Sequence, residues 1–223
     1  MSIINVLRNR VFSAGVIAVL ITAGLLMGCS GSEKDWQLMP PTGDVQEQPK
    51  EYATAPSMII DRNKSYRAVI HTNRGDITVR LFADDTWITV NNFVFLSLER
   101  FYDGNTFFRV VDGSFIQTGD PTGVGTGGPG YNFKDESFRG DYVEGAVAMA
   151  NRGPDTNGSQ FFICEEALPD LPKNYTIFGR VTEGMDVVRE IASVPVEEQP
   201  LFPEASRPTV EVFIETIDIY EAE

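Results

Sequence analysis

The sequence predicts a mainly β domain, a closed antiparallel barrel or sandwich carrying only two helices. Three observations lead there. Short runs of alternating polar and apolar residues recur between turn signals, only two windows show helical spacing, and no segment repeats at a fixed period. The first run, YRAVIHT from Tyr66, alternates, turns at Asn73-Arg74-Gly75, and alternates again in DITVRLF, the pattern of a hairpin. DDTWITVNNFVFLSLERF follows, with Trp87, Val90, Val94, Leu98 and Phe101 at helical spacing and Asp85 or Thr86 as N-cap. FFRVV, FIQTG, GAVAMAN, QFFIC and TIFGRV read as short strands. Residues 182–192 (TEGMDVVREIA) read as a second helix, and TVEVFIETIDIY as a long closing strand.

The N-terminal part has a different character. Arg8 and Arg10 precede an apolar stretch from Val11 to Met27, with Gly28 and Cys29 after it, so residues 1–28 have the anatomy of an export signal. Leu26-Met27-Gly28-Cys29 resembles a bacterial lipobox, which implies lipid on Cys29 and an extracytoplasmic, membrane-anchored protein on a cell surface or in a periplasm. The alternative is an uncleaved anchor at the short end of the ~17–25 apolar residues that span a bilayer. Residues 29–64 are rich in Pro, Gln, Glu and Ser and read as a flexible tether of about 30–35 Å end to end. Within it, Met58, Ile59 and Ile60 form an apolar cluster able to dock on the domain, which runs from 65 to 223.

Composition narrows the partners. A net charge of −14 argues against nucleic acid, because phosphate binding needs a basic surface. Without residues 1–28 the chain loses Arg8 and Arg10 but no acid, so anionic lipid is repelled too, and membrane attachment falls to the lipid alone.

Conventional chemistry is sparse. His71 is the single histidine and reads as a half-exposed strand residue, which excludes a His-rich metal site. Asp103, Asp112, Asp120, Asp135 and Glu136 lack calcium-loop spacing and read as solvated surface acids. GVGTGGPG, 123–130, contains G-x-G-x-x-G, but Pro129 interrupts it and no amphipathic helix follows, so it reads as a flexible loop. Once Cys29 is lipidated, Cys164 has no partner and reads as a small buried hydrophobe. No metal or cofactor is expected.

FFRVVDGSFIQTGDPTGVGTGGPGYNFKDE (107–136), GAVAMANRGPDTNGSQFFIC (145–164) and YTIFGRV (175–181) resemble, in order, the cyclophilin family of peptidyl-prolyl cis–trans isomerases. The middle block is the most specific. The resemblance implies a closed eight-stranded antiparallel β-barrel capped by two α-helices, with the substrate groove on its outer face and no cofactor. It implies catalytic roles for Arg109 and Gln117. Phe115, Ala150, Asn151, Gln160, Phe162, Leu171 and Tyr175 would bind a Pro-containing polypeptide. Phe161 and Met149 are expected to face the core instead, since neighbouring strand residues point to opposite faces.

Several positions depart from the family pattern. Ser114 stands for a pocket phenylalanine and would open or polarise one side of the groove. Phe108 stands for a histidine and Tyr175 for another, Arg152 for a small residue, and Trp87 for a proline. Asp170 takes the place of a tryptophan tied to cyclosporin binding. The function these residues suggest is rotation about X–Pro bonds in exported proteins by a monomer. A module that binds Pro-containing segments with little turnover stays open as the alternative.

Overall fold

In the computed structural model, residues 34–43 and 51–223 are described. The expected export signal and lipidated Cys29 lie outside them.

Strands β2 (Ser65–Thr72) and β3 (Gly75–Leu81) form the expected hairpin. In β2 the burial alternates strictly, sending Tyr66, Ala68 and Ile70 inward. The Thr72 hydroxyl closes the turn by donating to Gly75 O (2.7 Å) and accepting from Arg74 N (3.1 Å). Helix α1 spans Trp87–Leu98. Then come β4 (Arg109–Val111), β5 (Phe115–Thr118), β6 (Ala146–Met149), β7 (Phe161–Cys164), β8 (Ile177–Glu183), α2 (Met185–Ala192) and β11 (Ile214–Ala222). A small hairpin, β9 (Val196–Glu197) with β10 (Arg207–Pro208), interrupts that series, and its irregular, proline-rich sequence carries no strand signal.

The large sheet is antiparallel throughout, in the order β1-β11-β2-β3-β8-β6-β7-β5-β4, where β1 is Gln37–Leu38. At one corner the approach to β4 meets the start of β11. Gly104 N donates to Ile214 O (2.8 Å), Ile214 N to Asn105 O (2.9 Å) and Phe107 N to Val212 O (2.9 Å), with Thr106 facing Phe213. This corner also shortens the expected closing strand. Thr209–Phe213 leave the ladder to meet the approach to β4, and β11 begins at Ile214.

Inside the curved sheet lies the main core, which includes Ile70, Ile77, Phe93, Phe101, Val110, Ile116, Val147, Met149, Phe161 and Phe178. Helix α1 packs against β11 and β8, and α2 against β3, β4 and β5. A second apolar cluster of Tyr142, Ala146, Ala148, Phe162, Cys164 and Ile177 lies on the sheet's other face. Strand alternation divides the two: in β7, Phe161 and Ile163 face the main core while Phe162 and Cys164 face the second cluster.

Three expectations need correction. Thr86 is the N-cap, one of the two residues expected there, but it makes no side-chain cap bond, because its hydroxyl turns to Ile177 O (3.3 Å) and Phe82 O. The orphan donors of α1 go instead to Glu136, which accepts from Ile88 N (3.0 Å), Thr89 N (2.7 Å) and the Thr89 hydroxyl. The second helix starts at Met185, three residues later than its apolar spacing suggests. Thr182 and Glu183 remain in β8, and Gly184, at φ 88°, turns the chain where any Cβ would overlap the Asp76 carbonyl.

The third concerns the flexible tether expected over 29–64. Its described residues, 34–43 and 51–64, pack on the domain. β1 pairs with the outer edge of β11, Met39 N donates to Ile219 O (2.8 Å), and the Arg67 guanidinium lies over both the Trp36 and Tyr220 rings. An uncovered β11 edge would leave a row of unpaired backbone groups, and this segment supplies their partners. Further on, Tyr52 packs edge-on against Phe95 at 5.2 Å, and Asn91 accepts from Ile59 N (2.7 Å) and donates to Ser57 O (3.1 Å). Ile60 is buried, whereas Met58 and Ile59 remain exposed.

Candidate active site

On the outer face of the sheet one row of residues crosses four strands: Arg109 of β4 opposite Gln117 of β5, Gln117 opposite Phe162 of β7, and Phe162 opposite Ala148 of β6. Their strand neighbours Val110, Ile116, Phe161 and Val147 point into the main core, so the packing that holds the strands together also fixes this row. A groove of about 820 Å³ runs over it.

Arg109, Gln117, Phe115 and Phe162 line this groove, as do Ala150, Asn151, Gln160, Leu171 and Tyr175. The residues singled out by sequence thus share one cavity. The floor is aromatic. Phe162 is almost fully buried and packs against Phe115 (5.6 Å between ring centroids) and edge-on against Tyr175 (5.7 Å). Ala150 N donates to Gln160 O (2.9 Å), holding the rim. The Asn151 side chain donates to Asn174 O (2.7 Å), and among the described residues its main-chain N–H and C=O take no internal partner. That exposed backbone can pair with an extended peptide.

A directed hydrogen-bond chain runs along the groove. Arg109 Nη1 donates to Gln117 Oε1 (3.3 Å), and Gln117 Nε2 donates to Gln160 Oε1 (3.1 Å). Gln160 Nε2 then donates to Gly127 O (2.9 Å) and Gly125 O (3.2 Å). A guanidinium can only donate and a carbonyl can only accept, so the two ends set the orientation of both amides.

The glycine loop at the far end is fixed, which corrects its reading as flexible. Asp120 is fully buried, not a solvated surface acid. Its carboxylate accepts from Thr122 N (2.7 Å), the Thr122 hydroxyl (2.7 Å), Gly125 N (2.5 Å) and Gly127 N (3.1 Å). Backbone N–H groups thereby satisfy a buried carboxyl group that has no ion-pair partner among the described residues. Gly119, just before it at φ 86°, sits where a Cβ would run into Ser159 O, tying this loop closely to the Asn157-Gly158-Ser159-Gln160 segment.

Several residues in and around the groove carry no sequence signal. Glu204 Oε1 accepts from both Arg109 Nε (2.8 Å) and Nη2 (2.6 Å). Phe202 lies 4.2 Å from the guanidinium carbon and Phe115 lies 4.9 Å from it, so the cation is stacked as well as bonded. Both Glu204 and Phe202 come from the β9–β10 connection. Tyr142 supports the wall from behind, its hydroxyl donating to Tyr175 O (2.9 Å) and accepting from Tyr175 N (3.0 Å). Burial raises the Tyr142 pKa to about 12, keeping that hydroxyl protonated.

Of the departures, Ser114 lies outside the groove lining. Its carbonyl accepts from Glu165 N (2.8 Å). Asp170 also lies outside the lining and is exposed, whereas Arg152 sits on the rim and donates to Gly125 O (3.0 Å). His71 lies on β2, away from the groove. Cys164 is fully buried among apolar side chains, and burial pushes its thiol up to about 12, which leaves it unsuited to nucleophilic work.

Comparison with known proteins converges on one family. The model of "Cyclophilin type peptidyl-prolyl cis-trans isomerase/CLD" matches residues 67–219. "Peptidyl-prolyl cis-trans isomerase-like 3" of Homo sapiens is 41% identical over 156 residues, covering 68% of this chain and 94% of that protein. "Probable peptidyl-prolyl cis-trans isomerase A" of Mycobacterium leprae is 43% identical over 174 residues, covering 68% and 91%. Among solved structures, a cyclophilin type peptidyl-prolyl cis-trans isomerase of Cryptosporidium parvum is 34% identical with a TM-score of 0.64, covering 70% of this chain and 97% of that one. The same enzyme in the presence of the dipeptide Ala-Pro gives 0.62, with 68% and 96% covered.

Proposed function

The chain belongs to the cyclophilin-type peptidyl-prolyl cis-trans isomerase family, and from that premise we propose that it accelerates X–Pro rotation with Arg109 as donor to the prolyl nitrogen. The observation that carries this reading is the guanidinium held beside an aromatic notch on the same outer face.

The imide barrier, about 20 kcal/mol, comes from delocalisation of the nitrogen lone pair into the carbonyl. Twisting the bond removes that delocalisation, and the pyramidal nitrogen becomes a better acceptor. A donor aimed at it favours the twisted form over either planar form, which is the condition for catalysis. Glu204 and Gln117 take up Arg109 Nε and one hydrogen on each terminal nitrogen, so a second hydrogen on each terminal nitrogen remains to donate.

One bond does not suffice. Raising the rate from about 0.01 to ~1,000 s⁻¹ takes about 7 kcal/mol, whereas a charge-assisted hydrogen bond contributes roughly 1.5–3 kcal/mol. The remainder comes from restraint. Phe115, Phe162, Leu171 and Tyr175 grip the proline ring in a dry pocket, while Ala150, Asn151 and Gln160 hold the substrate backbone as the other side of the bond turns. A protease-coupled assay on a Pro-containing peptide is expected to lose most activity in Arg109→Ala. Equal rates for the two proteins would overturn the assignment, and exchange NMR showing binding without cis–trans turnover would favour the binding-module reading.

Exported or envelope polypeptides are the clients we propose, handled by a monomer held at a membrane through lipid on Cys29. The run from Arg8 to Cys29 supports this reading. Of the expected tether, residues 34–43 pack on the domain. Metabolic labelling with a radioactive fatty acid should mark the wild-type chain and leave Cys29→Ser unmarked; equal labelling, or none in either, would sink the anchor.

A further inference from the structure

We infer that Glu204 is the positioning residue of Arg109, and that the 198–206 connection between β9 and β10 serves to deliver it. The inference rests on the isomerase reading of the groove and names a further part of that machinery. Without Glu204, Arg109 would have, among the described residues, one neutral acceptor, Gln117 Oε1 at a long 3.3 Å, to hold a side chain rich in rotamers. Glu204 Oε1 bridges Nε and Nη2 together, which fixes both the tilt of the guanidinium plane and its rotation about the last side-chain bond.

The connection is fastened to the strand that carries Arg109, at the residues on either side of it. Gln199 Nε2 donates to Phe108 O (3.2 Å), and Val110 N donates to Ser206 O (2.7 Å). Gln199 and Ser206 are both buried and bonded to each other (2.8 Å), and the Ser206 hydroxyl donates to Glu204 O (3.2 Å). A shift of β4 therefore carries Glu204 along with Arg109. Phe202 adds a ring over the guanidinium and stacks with Phe108 (6.4 Å). On its far side the connection meets the glycine loop, since a Cβ at Gly125 would strike Leu201, Phe108 and Phe202.

Two effects of Glu204 oppose each other. Its charge weakens the field that Arg109 sends into the groove, and its geometry removes the disorder that would misaim the donor. Misplacement by about 1 Å can cost a hundredfold in rate, and each terminal nitrogen keeps a hydrogen for the substrate, so geometry dominates.

The test uses the full-length chain and compares Glu204→Ala, Glu204→Gln and Arg109→Ala. For Glu204→Ala, kcat should fall about tenfold or more with KM little changed. Glu204→Gln keeps an acceptor oxygen at the same reach and should recover part of the loss, which a purely structural role would not produce. The Arg109 Nε–H resonance should be slowly exchanging in the wild type and lose that protection in Glu204→Ala. A wild-type kcat for Glu204→Ala alongside a dead Arg109→Ala would overturn the inference and leave the isomerase reading intact; a fully active Arg109→Ala would bring down that reading itself. Should Glu204→Ala fail to fold by circular dichroism, the wild-type resonance decides, because rapid exchange there contradicts a clamped guanidinium.

Discussion

Gln117 Nε2 donates to Gln160 Oε1 at 3.1 Å, and this single amide pair couples the guanidinium on β4 to the carbonyls of the glycine loop. The two residues are 43 positions apart in the chain. They meet because β5 and β7 are neighbours in the sheet and Gln160 immediately precedes β7.

Breaking that pair should show in catalysis more than in stability. Gln117→Leu removes the acceptor for Arg109 Nη1 and the donor to Gln160 in one step. A loss of about 1–2 kcal/mol of transition-state stabilisation corresponds to roughly a 5–30-fold fall in kcat/KM. Peptide isomerisation rates check this. An unchanged kcat/KM would mean that the chain of amides has no part in holding the donor.

Tyr142→Phe should loosen the groove wall. The hydroxyl lost is the partner of both Tyr175 N and Tyr175 O. Removing it costs about 1–2 kcal/mol, with a raised KM as Tyr175 gains freedom against Phe162. Thermal unfolding and a peptide titration read the two effects separately. A raised KM with an unchanged Tm would show that Tyr142 acts only on the wall.

Glu136→Ala should destabilise the fold without touching the groove. It strips the first turn of α1 of a carboxylate that accepts from Ile88 N and Thr89 N. The loss of a cap is worth about 1–2 kcal/mol, or roughly 3–6 °C in Tm for a domain of this size. Glu136→Gln keeps an acceptor and loses the favourable charge at the helix N-terminus, so its Tm should fall in between.

Stability should also depend on pH through His71. Burial pulls its pKa down, but hydrogen bonds and charges from Asp76 (2.8 Å) and Asp218 (3.4 Å) outweigh that and leave it above 6.5. The folded state holds the proton more tightly than the unfolded chain. This contribution is fully present below the unfolded value of about 6.5 and is lost as pH rises through the higher folded value. Urea midpoints at about pH 6 and about pH 8.5 should differ by less in Asp76→Asn than in the wild type. An equal difference in both would exclude this pair.

Legibility in the sequence followed the range of each interaction. The hairpin from Tyr66 to Leu81 was readable because alternation and its turn sit within a few residues of each other. The groove lining was readable through the family resemblance of 107–136 and 145–164, while strand pleating alone placed Phe161 on the core side, opposite Phe162. Asp120 was misread because loop acids are usually solvated, and nothing local reveals that the chain folds back to bury it against its own amides.

Local amino-acid order thus decided the longer strands of the large sheet, which way their residues face, and which family the chain joins. Only folding decided that Glu204, 95 positions after Arg109, would hold its guanidinium, that Glu136 would cap a helix 48 positions before it, and that residues 37–38 would cover the edge of β11. The physical reason is the same for all three. A charge or an open strand edge advertises a need for a partner, but which distant segment meets that need depends on how the packed core routes the chain, and no short-range period records that route.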